Sequence, residues 1–97
     1  LELFNEVKSS LILDQLSEGW SIVEDHHIEK LYTFPNFVEA LAFTNRVGAV
    51  SEEEGHHPDL YLTWGKVRIT LYTHAIDGLS ANDFILAAKC DQVLAAK

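Results

Sequence analysis

From Asp59 onward apolar and polar residues alternate. Leu60, Leu62 and Trp64 fall on one side, Tyr61 and Thr63 on the other; beyond Gly65-Lys66, Val67, Ile69 and Leu71 alternate with Arg68, Thr70 and Tyr72. A period of two reads as strands with one apolar face, and Gly65-Lys66 suits the turn of a hairpin. Trp20 to Phe34 is rich in aromatic and β-branched residues and is broken at Asp25-His26-His27, which predicts a first hairpin. Three other segments have helical spacing. Val7 to Leu16 sets Val7, Leu11, Ile12 and Leu16 on one stripe, with Gly19 as a left-handed stop. A second helix opens with Pro35 in its first turn, carries the stripe Phe37, Val38, Leu41 and Ala42, and runs to about Glu54, where Gly55 ends it. Ser80-x-x-Asp83 reads as a helix start, and Phe84 to Ala96 continues the third helix.

The order helix, strand, strand, helix, strand, strand, helix gives two hairpins that each need one apolar face covered. The expected fold is α+β: a four-stranded antiparallel sheet with three helices packed on one face. At 97 residues the chain suits a single domain spanning 1–97, with a core that leaves little surplus, so self-association is plausible on size alone. The net charge of −8 is a poor match for a phosphate backbone and argues against direct nucleic-acid binding. No apolar run is long enough to span a membrane, and the opening LELFNEVKSS lacks the pattern of a secretory signal. The single cysteine, Cys90, lies in a helical segment and reads as a packed, inert thiol; with no signal peptide it fits a reducing cytoplasm.

The stretch EEEGHHPD, Glu52 to Asp59, breaks local rules. Carboxylates in the last turn of a helix meet the negative end of its dipole. Two adjacent side chains of a regular strand point to opposite faces, so His56 and His57 can share a site only from an irregular segment. Gly55 permits the bend, and Pro58 holds His57 extended. Pairing about a Gly65-Lys66 turn would set His57 opposite His74, at the open end of the second hairpin. Asp83 reads first as the acid of a capping box, a role compatible with a ligand contact. His26-His27 reads as a surface turn. Imidazoles gathered in one cleft suit acid–base chemistry near neutral pH, or a three-histidine zinc site with an open position, although no His-x-x-x-His or Cys-x-x-Cys spacing is present.

These residues also carry a family resemblance. Glu52-x-x-x-His56-His57-Pro58-Asp59, then Trp64-x-Lys66-Val67-x-Ile69-x-Leu71-x-Thr73-His74, then Gly78-Leu79-Ser80-x-x-Asp83, resembles the pterin-4a-carbinolamine dehydratases. Gly19-Trp20, Phe34-x-x-Phe37 and Asn45-Arg46-Val47 extend the likeness to almost the whole chain after Leu16. The resemblance implies a lyase that removes water from a 4a-hydroxytetrahydropterin to give the quinonoid dihydropterin, in tetrahydropterin recycling. It implies no metal and no cofactor beyond the pterin substrate, and a homodimer or homotetramer. The family's catalytic positions correspond to His56, His57, His74 and Glu52. Its pterin-contacting positions correspond to Pro58, Thr73, Ala75 and Ile76, with Asp83 and Trp20 nearby. Two departures stand out: Gly55 where some members have an acid, and Leu60 where an aromatic is common. Animal members also serve as dimerisation cofactors for a homeodomain transcription factor, and nothing in these residues carries that role over. The readings that compete are a non-catalytic interaction module on the same fold and a metal-dependent hydrolase.

Overall fold

The structure, a computed structural model, describes residues 2–95. In chain order its elements are α1 (Glu6–Leu13), β1 (Ser21–Val23), β2 (His27–Thr33), α2 (Phe37–Glu54), β3 (Asp59–Leu62), β4 (Lys66–Leu71), a 3-10 turn (His74–Ile76) and α3 (Ala81–Ala95). The strands form one antiparallel sheet in the order β1-β2-β4-β3, so the two hairpins join through β2 and β4. Register sets Ile28 across from Leu71 and Tyr32 across from Val67, which puts the apolar residues of both hairpins on one side. Ile28, Val67, Ile69 and Leu71 have no exposed surface there. Phe43 and Val47 of α2, and Leu86, Ala87 and Cys90 of α3, complete the core with them. Each fully buried aliphatic or aromatic side chain contributes about 1.5–3 kcal/mol, so this shared face holds the layers together. The expected α+β sheet-and-helix architecture is the one observed.

Several local expectations need correction. The helix expected over Val7 to Leu16 stops at Leu13, and Asp14, not Gly19, is its cap. Val7 and Leu11 point outward, while Ile12, Leu13 and Leu16 reach the core, because the helix rests on its Ser9 side. Pro35 precedes α2 rather than entering it: the Asn36 side chain caps the helix by accepting from the Glu39 N–H at 3.0 Å. The buried stripe of α2 is Ala40, Phe43, Val47 and Ser51, leaving Phe37, Val38 and Leu41 exposed. Trp64, expected on the covered face, is 68% exposed. It sits in the β3–β4 turn with Gly65, and Lys66 already belongs to β4. The expected end of α3 at Ala96 lies outside the described residues.

The first hairpin turns on Glu24 and Asp25, whose φ values are 53° and 54°, and the His26 N–H donates to the Val23 carbonyl at 3.0 Å. Paired left-handed residues are the mark of a tight turn that matches strand twist, usually built from Asn and Gly. With ordinary side chains it costs about 1–2 kcal/mol per residue.

A buried polar group ties this hairpin to α3. The Asp91 carboxylate accepts from Trp20 Nε1 at 2.9 Å, Lys30 Nζ at 2.7 Å and Tyr32 Oη at 2.6 Å. Burial, and then the Asp91 contact, raise the Tyr32 phenol far above its ordinary range. Replacing Asp91 by Ala would strand a largely buried ammonium; a loss of about 3 kcal/mol is expected in urea unfolding, and an unchanged midpoint would contradict the assignment. Burial, reinforced by the nearby Asp91 charge, pushes the adjacent Cys90 thiol up to about 12. Its folded value lies above the unfolded 9.0, so its contribution is whole below pH 9 and is lost as pH rises toward 12. Cys90 should therefore resist a thiol reagent at pH 8 in the folded protein and react once urea unfolds it; fast labelling of the folded chain would contradict this.

Candidate active site

The acidic end of α2 closes in a Schellman turn. Gly55 takes the left-handed conformation at φ 65°, its N–H donates to the Glu52 carbonyl at 3.2 Å, and the His56 N–H donates to the Ser51 carbonyl at 3.1 Å. Glycine takes this conformation without the strain that other residues carry at that φ. The bend sends the two adjacent imidazoles to different carboxylates. His57 meets Glu52 at 2.7 Å in the open, while the third acid, Glu54, pairs with Lys89 of α3. His56 turns inward, 13% exposed, and its Nε2 lies 2.6 Å from Asp83.

Asp83 is the centre of the arrangement. Its carboxylate is fully buried and accepts from the Ser80 N–H at 2.9 Å, from the Thr73 hydroxyl at 2.9 Å and from His56. The Thr73 hydroxyl gives its one proton to Asp83, so the Ser80 hydroxyl, 2.7 Å away, donates to Thr73. The expected capping role and a site role are thus one structure: Asp83 reaches back to the Ser80 N–H as a capping box requires, and its remaining lone pairs bind two other segments. Donors from three segments offset the desolvation of this carboxylate, which unpaired would be strongly destabilising.

Thr73 leads directly into His74. The Thr73 N–H donates to the Gly78 carbonyl at 2.8 Å, so residues 74–77 form a closed loop beginning with the 3-10 turn. Pro58 is half-buried beside the histidine pair, Ala75 is exposed and Ile76 half-buried in the loop. Asp83 therefore joins the 56–58 segment to the 73–76 segment. Trp20 is not brought to this group: it is 7% exposed and committed to Asp91, two turns further along α3.

The hairpin register differs from the expected one. Asp59 pairs with Thr70 and Leu62 with Val67, because the turn centres on Trp64-Gly65. Continued past the strand ends, this register sets Tyr72, not His74, across from His57. The segments meet through the inward His56–Asp83–Thr73 bridge instead.

Sequence reasoning missed a second group of rings. His74 lies against Tyr72, ring centroids 4.2 Å apart, and the Tyr72 ring also lies 4.5 Å from that of His26. His26 Nε2 is 2.7 Å from the Asp77 carboxylate, and its Nδ1 is 3.1 Å from that of His27. His26 and His27 are thus half-buried partners rather than a free surface turn. The available signal was strand order: once β2 pairs with β4, the register of Ile28 with Leu71 brings His27 alongside Tyr72. Among the described residues, no three His, Cys, Asp or Glu side chains gather as a metal-binding group.

Comparison with known proteins bears on the family and the fold. The sequence model of the family described as "Pterin 4 alpha carbinolamine dehydratase" matches residues 4–93. A protein of Alkaliphilus metalliredigens named "Putative pterin-4-alpha-carbinolamine dehydratase" is 56% identical over 80 residues, 82% of this chain and 72% of its own length. One of the same name from Vibrio vulnificus is 44% identical over 97 residues, 97% of this chain and 86% of its own. Among solved structures, a "transcriptional coactivator/pterin dehydratase" from Brucella melitensis superposes with a TM-score of 0.89 at 26% identity, covering 95% of this chain and 98% of that one. A pterin dehydratase-like RuBisCO assembly factor of the alpha-carboxysome shares the fold, with a TM-score of 0.67 at 24% identity over 78% of this chain and 89% of that one.

Replacing Asp83 by Ala would leave the Thr73 hydroxyl, the Ser80 N–H and His56 without their acceptor. Urea unfolding should show a loss of about 2–4 kcal/mol, and a variant as stable as the native protein would contradict the bridge.

Proposed function

The chain belongs to the pterin 4 alpha carbinolamine dehydratase family, and we propose that it removes water from a 4a-hydroxytetrahydropterin by histidine acid–base catalysis. The single observation that carries the reading is the buried Asp83 carboxylate, which holds His56 and Thr73 and so draws the His56–Pro58 and Thr73–Ile76 segments together. The dehydration asks for two proton transfers. A general acid delivers a proton to the 4a oxygen as the C4a–O bond breaks and water leaves. A general base takes the N5 proton, and that N–H electron pair becomes the new N5=C4a bond. His57 and His74 are the exposed imidazoles of the two segments and perform these transfers, each contributing about 10²–10⁴-fold in rate.

His56 orients the pair. Its Nε2–H donates to Asp83, which fixes the tautomer and the ring plane and leaves Nδ1 as the acceptor. Glu52 does the same for His57 from the solvent side. Pro58, Ala75 and Ile76 border the substrate, buried Thr73 and Asp83 hold those segments from within, and Trp20 supports the fold behind them. The reaction uses no metal and no cofactor besides the pterin itself, and it serves tetrahydropterin recycling in the cytoplasm. Among the described residues no helix is long and apolar enough to cross a membrane. A homodimer or homotetramer is supported by the apolar side chains left outside the core, Val38 at 75% and Tyr61 at 54% exposure among them. The acidic charge supports a small-molecule partner rather than nucleic acid.

Spectroscopic dehydration assays with a 4a-hydroxytetrahydropterin test the reading. His57→Ala and His74→Ala should each slow turnover by about a hundredfold or more while circular dichroism stays native. Near-native turnover in both variants would overturn the catalytic assignment; a native protein without dehydration would favour an interaction module on the same fold.

A further inference from the structure

We infer that Tyr72, held from behind by His26 and Asp77, is a positioning residue for His74. The inference rests on the dehydratase reading for what His74 does, but the ring ladder that carries it is independent of that reading. Three rings lie in series: His74 and Tyr72 have centroids 4.2 Å apart and planes 33° apart, and Tyr72 and His26 have centroids 4.5 Å apart and planes 42° apart. The phenol ring is therefore in close contact with two imidazoles. His74 itself is exposed and opens the 3-10 turn. The contact with Tyr72 is what restricts its ring. An imidazole that must meet a ring atom of the substrate within hydrogen-bond reach gains from such restriction, because a misplaced group loses rate before it loses affinity.

The far end of the ladder is anchored. Asp77 accepts from His26 Nε2–H at 2.7 Å, and with that tautomer His26 Nδ1 accepts from His27 Nδ1–H at 3.1 Å. The anchor also closes a circuit through the backbone. Asp77 lies three residues after His74, and its N–H donates to the His74 carbonyl at 3.2 Å. The loop that carries His74 thus reaches across to the β1–β2 turn and holds the ring beneath Tyr72. Backbone strain collects at the same place. Among the described residues the non-glycine positions with positive φ are Glu24, Asp25 and Asp77, the first two leading directly into His26 and the third being its acceptor. Strain held by ordinary side chains persists where surrounding contacts require the geometry. Here those contacts set the distance between the first hairpin turn and the His74 loop.

The test compares Tyr72→Leu, Tyr72→Phe and Asp77→Gly with the native protein and His74→Ala. Steady-state dehydration of a 4a-hydroxytetrahydropterin is measured beside the NMR resonances of the His74 ring C–H protons. Glycine accepts the left-handed backbone at position 77 and removes the side chain that holds His26, so that variant carries the test should Tyr72→Leu fail to fold. Tyr72→Leu should lower kcat by roughly tenfold to a hundredfold with KM little changed. It should also move the His74 resonances as the ring current of Tyr72 is lost. Tyr72→Phe should keep both kcat and the resonances near native, and Asp77→Gly should lower kcat by a smaller factor in the same direction. Native kcat and unmoved His74 resonances in both Tyr72→Leu and Asp77→Gly, beside an inactive His74→Ala, would overturn the positioning role and leave the dehydratase reading intact. Full turnover in His74→Ala would overturn the dehydratase reading and the positioning role with it.

Discussion

A carboxylate without solvent cannot stand alone, and Asp83 is such a group. Its oxygens have to be met from within the protein, and the three donors that meet them come from different parts of the chain. Ser80 supplies a backbone N–H at the start of α3, Thr73 a hydroxyl beyond the end of β4, and His56 an imidazole from the loop after α2. This requirement draws three otherwise separate segments together, and the candidate active site is where they meet. Without it, the loop bearing His56 and His57 would keep only the Schellman turn at Gly55 and the exposed His57–Glu52 contact to orient it.

Helix α3 repeats the device. Asp91 lies eight residues beyond Asp83, about 12 Å along the helix, and collects Trp20, Lys30 and Tyr32 as Asp83 collects its own donors. The hydrophobic face of α3, Phe84, Leu86, Ala87 and Cys90, supplies the attraction to the sheet, but apolar contact alone tolerates sliding and repacking. Two carboxylates that each demand particular donors fix which turn of the helix faces which strand. One of these polar clusters ties the first hairpin to α3, and the other joins the segments of the candidate site.

The fold was legible because alternation in Asp59–Leu71 and the punctuation at Gly55 and Ser80-x-x-Asp83 are local signals with local causes. The family likeness rested on the same stretches. What the sequence did not disclose depends on contacts between distant elements. Phe37, Val38 and Leu41 have helical spacing, yet the sheet takes the neighbouring stripe of Ala40, Phe43 and Val47, a choice made by tertiary packing. The two-residue error in hairpin register came from reading Gly65-Lys66 as the turn when Trp64 occupies it. His57 then falls across from Tyr72, and the meeting of the two histidine segments had to be found through Asp83 instead. His26 and Asp77 were invisible as partners, since nothing in either segment says that β2 pairs with β4.

The proposal requires His56, His57 and His74 to meet one pterin where Asp83 joins their two segments. The most direct measurement is NMR of the imidazole C–H resonances during titration with a dihydropterin that lacks the 4a hydroxyl and cannot react. Saturable shifts of all three rings at one common dissociation constant, weakened in Asp83→Asn, are the predicted result. Binding that leaves these three rings unmoved, or that moves only one of them, would contradict the account.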